Sequence, residues 1–143
     1  MKMSEAIKRE TSKDLEFSGK RWRLKKFDAL TGSNIFRKFI ASKSNEPQQF
    51  LASLSDEDFK SIQVACLQSC FELKNVDGME VAIPVMLPDG ARFGVEGVSE
   101  DQGLVFMLTT MQVAYNISGF FDESALKDYK KVTEEFLGVN APT

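Results

Sequence analysis

The chain contains no histidine. That absence removes the commonest general base, the usual proton shuttle and the commonest metal ligand together. Most hydrolase triads and zinc sites go with it. Cysteine is scarce as well: Cys66 and Cys70 are the two in 143 residues. With no histidine and no second thiol pair they cannot complete a tetrahedral metal site. Spaced one helical turn apart, they read as small buried hydrophobes on a helix stripe. No apolar run approaches the roughly 20 residues of a membrane span, and the densest, "LVFML" at 104–108, is far shorter. "MKMSEAIKRE" lacks the hydrophobic core of a signal peptide. The expectation is a cytoplasmic protein with no membrane partner, and the Asn116-Ile117-Ser118 triplet is then no glycosylation site. Carboxylate and lysine chemistry survives these absences, yet no nucleophile–base pair can be assembled. We therefore expect no enzyme, no cofactor and no metal.

What is present suggests one α+β domain. A content of 43% hydrophobic residues over this length is enough for a real core. Charge is unevenly spread. Residues 1–40 carry 11 Lys/Arg against 5 Asp/Glu, whereas the rest carry 7 against 16. Such halves can attract each other or a charged partner over the roughly 8–10 Å that salt permits.

Along the chain, residues 1–13 are polar and read as a flexible arm. "DLEFSGKRWRLKKF" then alternates as a hairpin does. A turn at Gly19-Lys20 would set Phe17 opposite Trp22, Glu16 opposite Arg23, Leu15 opposite Leu24 and Asp14 opposite Lys25. Apolar pairs then share one face and opposite charges the other. Thr31-Gly32-Ser33 reads as a turn and cap before a helix with Ile35, Phe36, Phe39 and Ile40 inward. A short helical turn covers 47–53. Ser55 caps a third helix, whose first-turn Asp56, Glu57 and Asp58 complement the helix dipole. Its stripe is Phe59, Ile62, Cys66 and Cys70. From Phe71 to Gly97 the turn signals Asp77-Gly78 and Pro88-Asp89-Gly90 mark a second, irregular β region, with Pro84 at an edge or bulge. Ser99 and Gln102 form a capping box for the next helix, which turns Leu104, Met107, Leu108, Met111 and Tyr115 inward, with Val105 and Phe106 widening that face. Asp122 starts a last helix, and 138–143 trails off as a tail. The single domain is thus expected over 14–137, with about four helices packed on its two β regions.

"NISGFF" joins the last two helices, and Gly119 permits the reversal. Phe120 and Phe121 can staple the following helix start, or serve as exposed anchors for a partner. Met107 and Met111 on the preceding helix could adapt to such a partner. Lys20, Arg21, Arg23, Lys25 and Lys26 surround Trp22, as in a nucleic-acid site, but acidic residues across the hairpin compete for them.

The order of these parts resembles a known family. "LEFSGKRWRLKKFDALTGSNIFRKF", and within it "FDALTGSNIF", is followed by a helical middle, "LPDGARF" and a closing "MQVAYNISGFF". Over about residues 14–137 the chain resembles the small tail assembly chaperones of long-tailed bacteriophages and prophages. The resemblance implies a non-enzymatic role: keeping the helical tape-measure protein soluble and helping tail-tube subunits assemble around it. It implies no catalytic residues. Partner-binding positions would be Phe120, Phe121, Met107 and Met111, with self-association left open. The alternatives are a phage or prophage structural or adaptor module, or a nucleic-acid-binding protein that uses the basic hairpin.

Overall fold

The computed structural model describes residues 12–118. The strands are β1 (Ser12–Phe17), β2 (Lys20–Lys25), β3 (Cys70–Val76) and β4 (Met79–Pro84). The helices are α1 (Ala29–Ser42), α2 (Pro47–Ser53), α3 (Asp56–Gln68) and α4 (Gln102–Ser118). One four-stranded antiparallel sheet in the order β1-β2-β3-β4 packs with these helices as an α+β domain.

Two tight turns set the sheet. Ser18 and Gly19 have φ of 53° and 71°, and Asp77 and Gly78 have 52° and 80°. Positive φ at both central residues is the type I′ pattern, whose twist suits paired strands. The first turn thus sits one residue earlier than the sequence suggests, which moves every pairing by two. Leu15 faces Trp22, Asp14 faces Arg23, Glu16 faces Arg21 and Phe17 faces Lys20. A shift of two keeps each side chain on its face, so Leu15, Phe17, Trp22 and Leu24 still point inward. Phe17 and Trp22 become diagonal neighbours with stacked rings 5.4 Å apart, and the indole N–H donates to the Phe17 carbonyl at 3.1 Å. The second β region is not separate: β3 pairs with β2, Arg23 facing Phe71 and Leu24 facing Cys70.

Several helix boundaries also differ from expectation. α1 starts at Ala29 with Asp28 as its cap, accepting from the Thr31 N–H, so Thr31-Gly32-Ser33 lies inside the helix. Ile35 and Phe39 are buried there, while Ile40 is half exposed. Ser55 caps α3 as expected, accepting from the Asp58 N–H. Cys66 is on α3, but Cys70 opens β3 because the helix ends at Gln68. α4 is capped by Asp101, which accepts from the Leu104 N–H at 3.0 Å, and not by Ser99. β1 begins at Ser12, inside the stretch read as an arm.

Two apolar clusters meet along α3 and α4. The first joins Trp22, Leu24 and Cys70 of the sheet to Leu67, Leu108 and the return Val85–Val98. The second joins Ile35 and Phe39 of α1, Phe50 and Leu51 of α2, Ile62 and Cys66 of α3, and Val113 and Ile117 of α4. Fully burying Phe50 stabilises the fold by roughly 1.5–3 kcal/mol. The return is held by Gly94, whose N–H donates to the Val85 carbonyl at 2.9 Å. A Cβ at Gly94 would collide with the Pro84 carbonyl oxygen, so the close approach needs glycine.

Candidate protein-binding surface

α4 carries no charged side chain over its 17 residues, "QGLVFMLTTMQVAYNIS". A helix of this kind is normally enclosed on all sides. Its buried side chains are Leu108, Thr109, Gln112, Val113, Asn116 and Ile117. This face is rotated from the expected one. Leu104, Met111 and Tyr115 pack at its margin, partly buried against the first cluster, and Met107 is 48% exposed. The rotation follows from polar groups that apolar periodicity does not count. Asn116 accepts from the Phe27 N–H at 2.8 Å and donates to the Gln112 carbonyl at 3.0 Å. Gln112 donates to the Lys25 carbonyl at 2.8 Å, and Gln63 donates to Thr109 at 3.3 Å. Lys26 donates to the Tyr115 carbonyl and lies 4.0 Å above that ring. α4 is thus clamped to the β2–α1 connection and to α3. The signal was present as a polar stripe, Thr109-Gln112-Asn116, in an otherwise apolar helix. The Asn116 amide is consumed inside the fold, which closes the triplet to modification in the folded chain.

The opposite side of α4 faces outward. Phe106 is 47% exposed beside Met107, and the Phe106 ring stacks on Phe59 of α3 at 6.5 Å. Gly103 and Met107 are exposed on this side, and Thr110 and Ala114, in step with them along the helix, are partly buried. Of the anticipated partner-binding residues, Met107 is on the face and Met111 at its edge. Phe120 and Phe121 lie outside the described residues, as does the helix expected after Asp122.

The basic hairpin is occupied internally. Arg23 grips both oxygens of Asp14 at 2.7 and 3.0 Å and reaches Glu80 at 3.0 Å. Arg21 meets Glu80 at 2.7 Å and Lys20 meets the buried Glu72 at 3.4 Å. Lys25 sits 4.7 Å above the Phe71 ring. The hydrogen bond from Arg23 holds the Asp14 carboxyl below its usual range, and that from Arg21 does the same for Glu80.

Other groups with chemical potential are also engaged. Burial pushes both thiols up, away from reactive thiolate. Asp58 is held by Lys38 at 2.8 Å. Among the described residues no three His, Cys, Asp or Glu side chains come together to hold a metal ion. An open groove of about 360 Å³ is lined by Gln68, Phe71, Pro84, Met86 and Pro88, with no titratable group among them. The Gln68 amide there already donates to the Leu87 and Pro88 carbonyls. Among the described residues no helix is long and apolar enough to cross a membrane. Comparison with protein-family models, curated proteins and solved structures finds no match to this chain.

Proposed function

We propose that the chain is a non-enzymatic tail assembly chaperone of phage type. It binds the tape-measure protein in the host cytoplasm and assists tail-tube subunits in assembling around it. The observation that carries the reading is the outer face of α4. A helix without charge leaves Phe106 and Met107 exposed and leads directly into "GFF" at 119–121. An accessible apolar face of this kind suits a protein client, and methionine adapts to a varied helical sequence. The resemblance of residues 14–137 to the chaperone family supplies the identity of that client. The engagement of Lys20, Arg21, Arg23, Lys25 and Lys26 within the fold favours a protein partner over nucleic acid.

Co-expression with the tape-measure protein of the same genome tests the reading. The client should move into the soluble fraction and co-purify with the chain. Equal client solubility with and without the chain would defeat the proposal.

A further inference from the structure

β4 is an edge strand: among the described residues its outer side pairs with nothing. Proteins usually blunt such edges with charge. β1, at the other edge, does so with Lys13, Asp14 and Glu16. β4, "MEVAIP", has a single charge at Glu80, and that carboxylate is turned back across β3 to Arg21 and Arg23. Apolar groups remain in its place. Met79 is 71% exposed and Val81 39%, with Val76 at the end of β3 50% exposed beside them.

The pairing of β4 with β3 fixes which backbone groups are free. The Val85 N–H donates to the Cys70 carbonyl, in line with the pairs Glu72–Ile83, Lys74–Val81 and Val76–Met79. Antiparallel ladders alternate, so Met79, Val81 and Ile83 turn their N–H and C=O groups toward β3. Glu80 and Ala82 turn theirs to the open side. A strand can add there only by meeting Glu80 and Ala82.

We propose that β4 pairs antiparallel with β4 of a second copy of this chain about a two-fold axis at Val81, joining two four-stranded sheets into one. Registers that set outward residues opposite one another are centred on Glu80, Val81 or Ala82. Centring on Glu80 brings two carboxylates face to face, which is unfavourable. Centring on Ala82 sets Glu80 opposite Pro84, which has no N–H to give. Centring on Val81 sets Glu80 opposite Ala82 twice, so all four outward N–H groups find carbonyls. Val81 then meets Val81, and Met79 meets Ile83, in the closer non-bonded positions on the apolar face. The strand is self-complementary in backbone, charge and side chain, as a two-fold interface requires. One strand pair buries less than the roughly 800 Å² per partner of a standard interface, so the dimer is weak and concentration-dependent.

The inference is independent of which client α4 binds. Sedimentation of the full chain over a range of concentrations should show monomer and dimer in exchange. Val81→Cys should cross-link to dimer under mild oxidation, because non-bonded pairs lie about 4.5 Å apart at Cα, within disulfide reach. Glu80→Cys should not, since it faces Ala82. Cys66 and Cys70 are fully buried and stay out of the reaction. Ala82→Pro removes an outward N–H without taking a bond from the β3 ladder and should weaken dimerisation at least tenfold. If that variant does not fold, the cross-linking pair decides alone. A chain monomeric throughout with no Val81→Cys cross-link overturns the proposal. So does a dimer untouched by Ala82→Pro, or a Val81→Cys cross-link to a different protein's strand.

Discussion

Asn116→Ala should be among the most damaging polar truncations in the described domain. The side chain is 7% exposed, and its two hydrogen bonds join α4 to the Phe27 N–H and to its own preceding turn. Truncation leaves the Phe27 N–H without its acceptor, while the Gln112 carbonyl loses a second donor and keeps the helical bond from the Asn116 backbone. An orphaned buried group costs about 1–3 kcal/mol, and the lost packing adds to it. We expect about 2–3 kcal/mol in total, read as a lower urea midpoint with an unchanged slope. For a domain of this size that lowers Tm by roughly 10 °C. Asn116→Asp keeps the acceptor for Phe27 but buries a charge, and should cost at least as much near neutral pH. The reasoning is refuted if Asn116→Ala stays within about 0.5 kcal/mol of the parent, the range of ordinary surface changes.

Three further outcomes follow from the same geometry. Ser55→Ala removes the α3 cap and should cost about 1 kcal/mol in urea unfolding. Stability should fall in acid: Asp14, Asp58, Glu80 and Asp89 all have lowered pKa, Asp89 to about 2 through the backbone N–H of Ala91 and the Arg92 side chain. Depressed carboxylates stabilise above their unfolded pKa and lose that contribution as pH drops through the folded value. Stability should therefore be level near neutrality and decline from about pH 4.5 toward 2; Asp89→Asn should flatten the acid end, and a rise in acid would contradict the scheme. The thiols of Cys66 and Cys70 should resist a disulfide reagent until the chain unfolds, and rapid labelling of the folded protein would contradict their burial.

The sequence disclosed faces better than registers. Alternation placed Leu15, Phe17, Trp22 and Leu24 together, and a two-residue shift left that intact. The shift itself depended on whether Gly19 opened a II′ turn with Lys20 or closed an I′ turn with Ser18, and glycine suits both. The joining of β2 to β3 was hidden because Arg23 and Phe71 meet although they lie 48 positions apart in sequence. No local pattern encodes such a contact. α1 was misplaced at its start because Leu30, 84% exposed, adds nothing to the buried stripe, and Gly32 looked like a turn. α4 was located correctly and Leu108 is buried as read, with Leu104, Met111 and Tyr115 partly so, but the centre of its inward face lies elsewhere. Counting apolar residues favoured Phe106 and Met107, which are exposed, whereas Thr109, Gln112 and Asn116 went inward to meet the Gln63 side chain, the Lys25 carbonyl and the Phe27 N–H. Of the candidate site, Met107 is exposed although its spacing pointed inward, Met111 lies at the margin, and Phe120 and Phe121 fall outside the described residues.

Under the proposed function, α4 and the "GFF" step bind the tape-measure protein. The most direct measurement is calorimetric affinity for that client with the parent chain, Met107→Ala, Phe120→Ala and Phe121→Ala. Phe120→Ala or Phe121→Ala should weaken binding by about 1–3 kcal/mol, as hot-spot aromatics do. Met107→Ala should weaken it in the same direction, and at least one of the three variants should keep the parental Tm. Unchanged affinity in all three folded variants would contradict the proposed function.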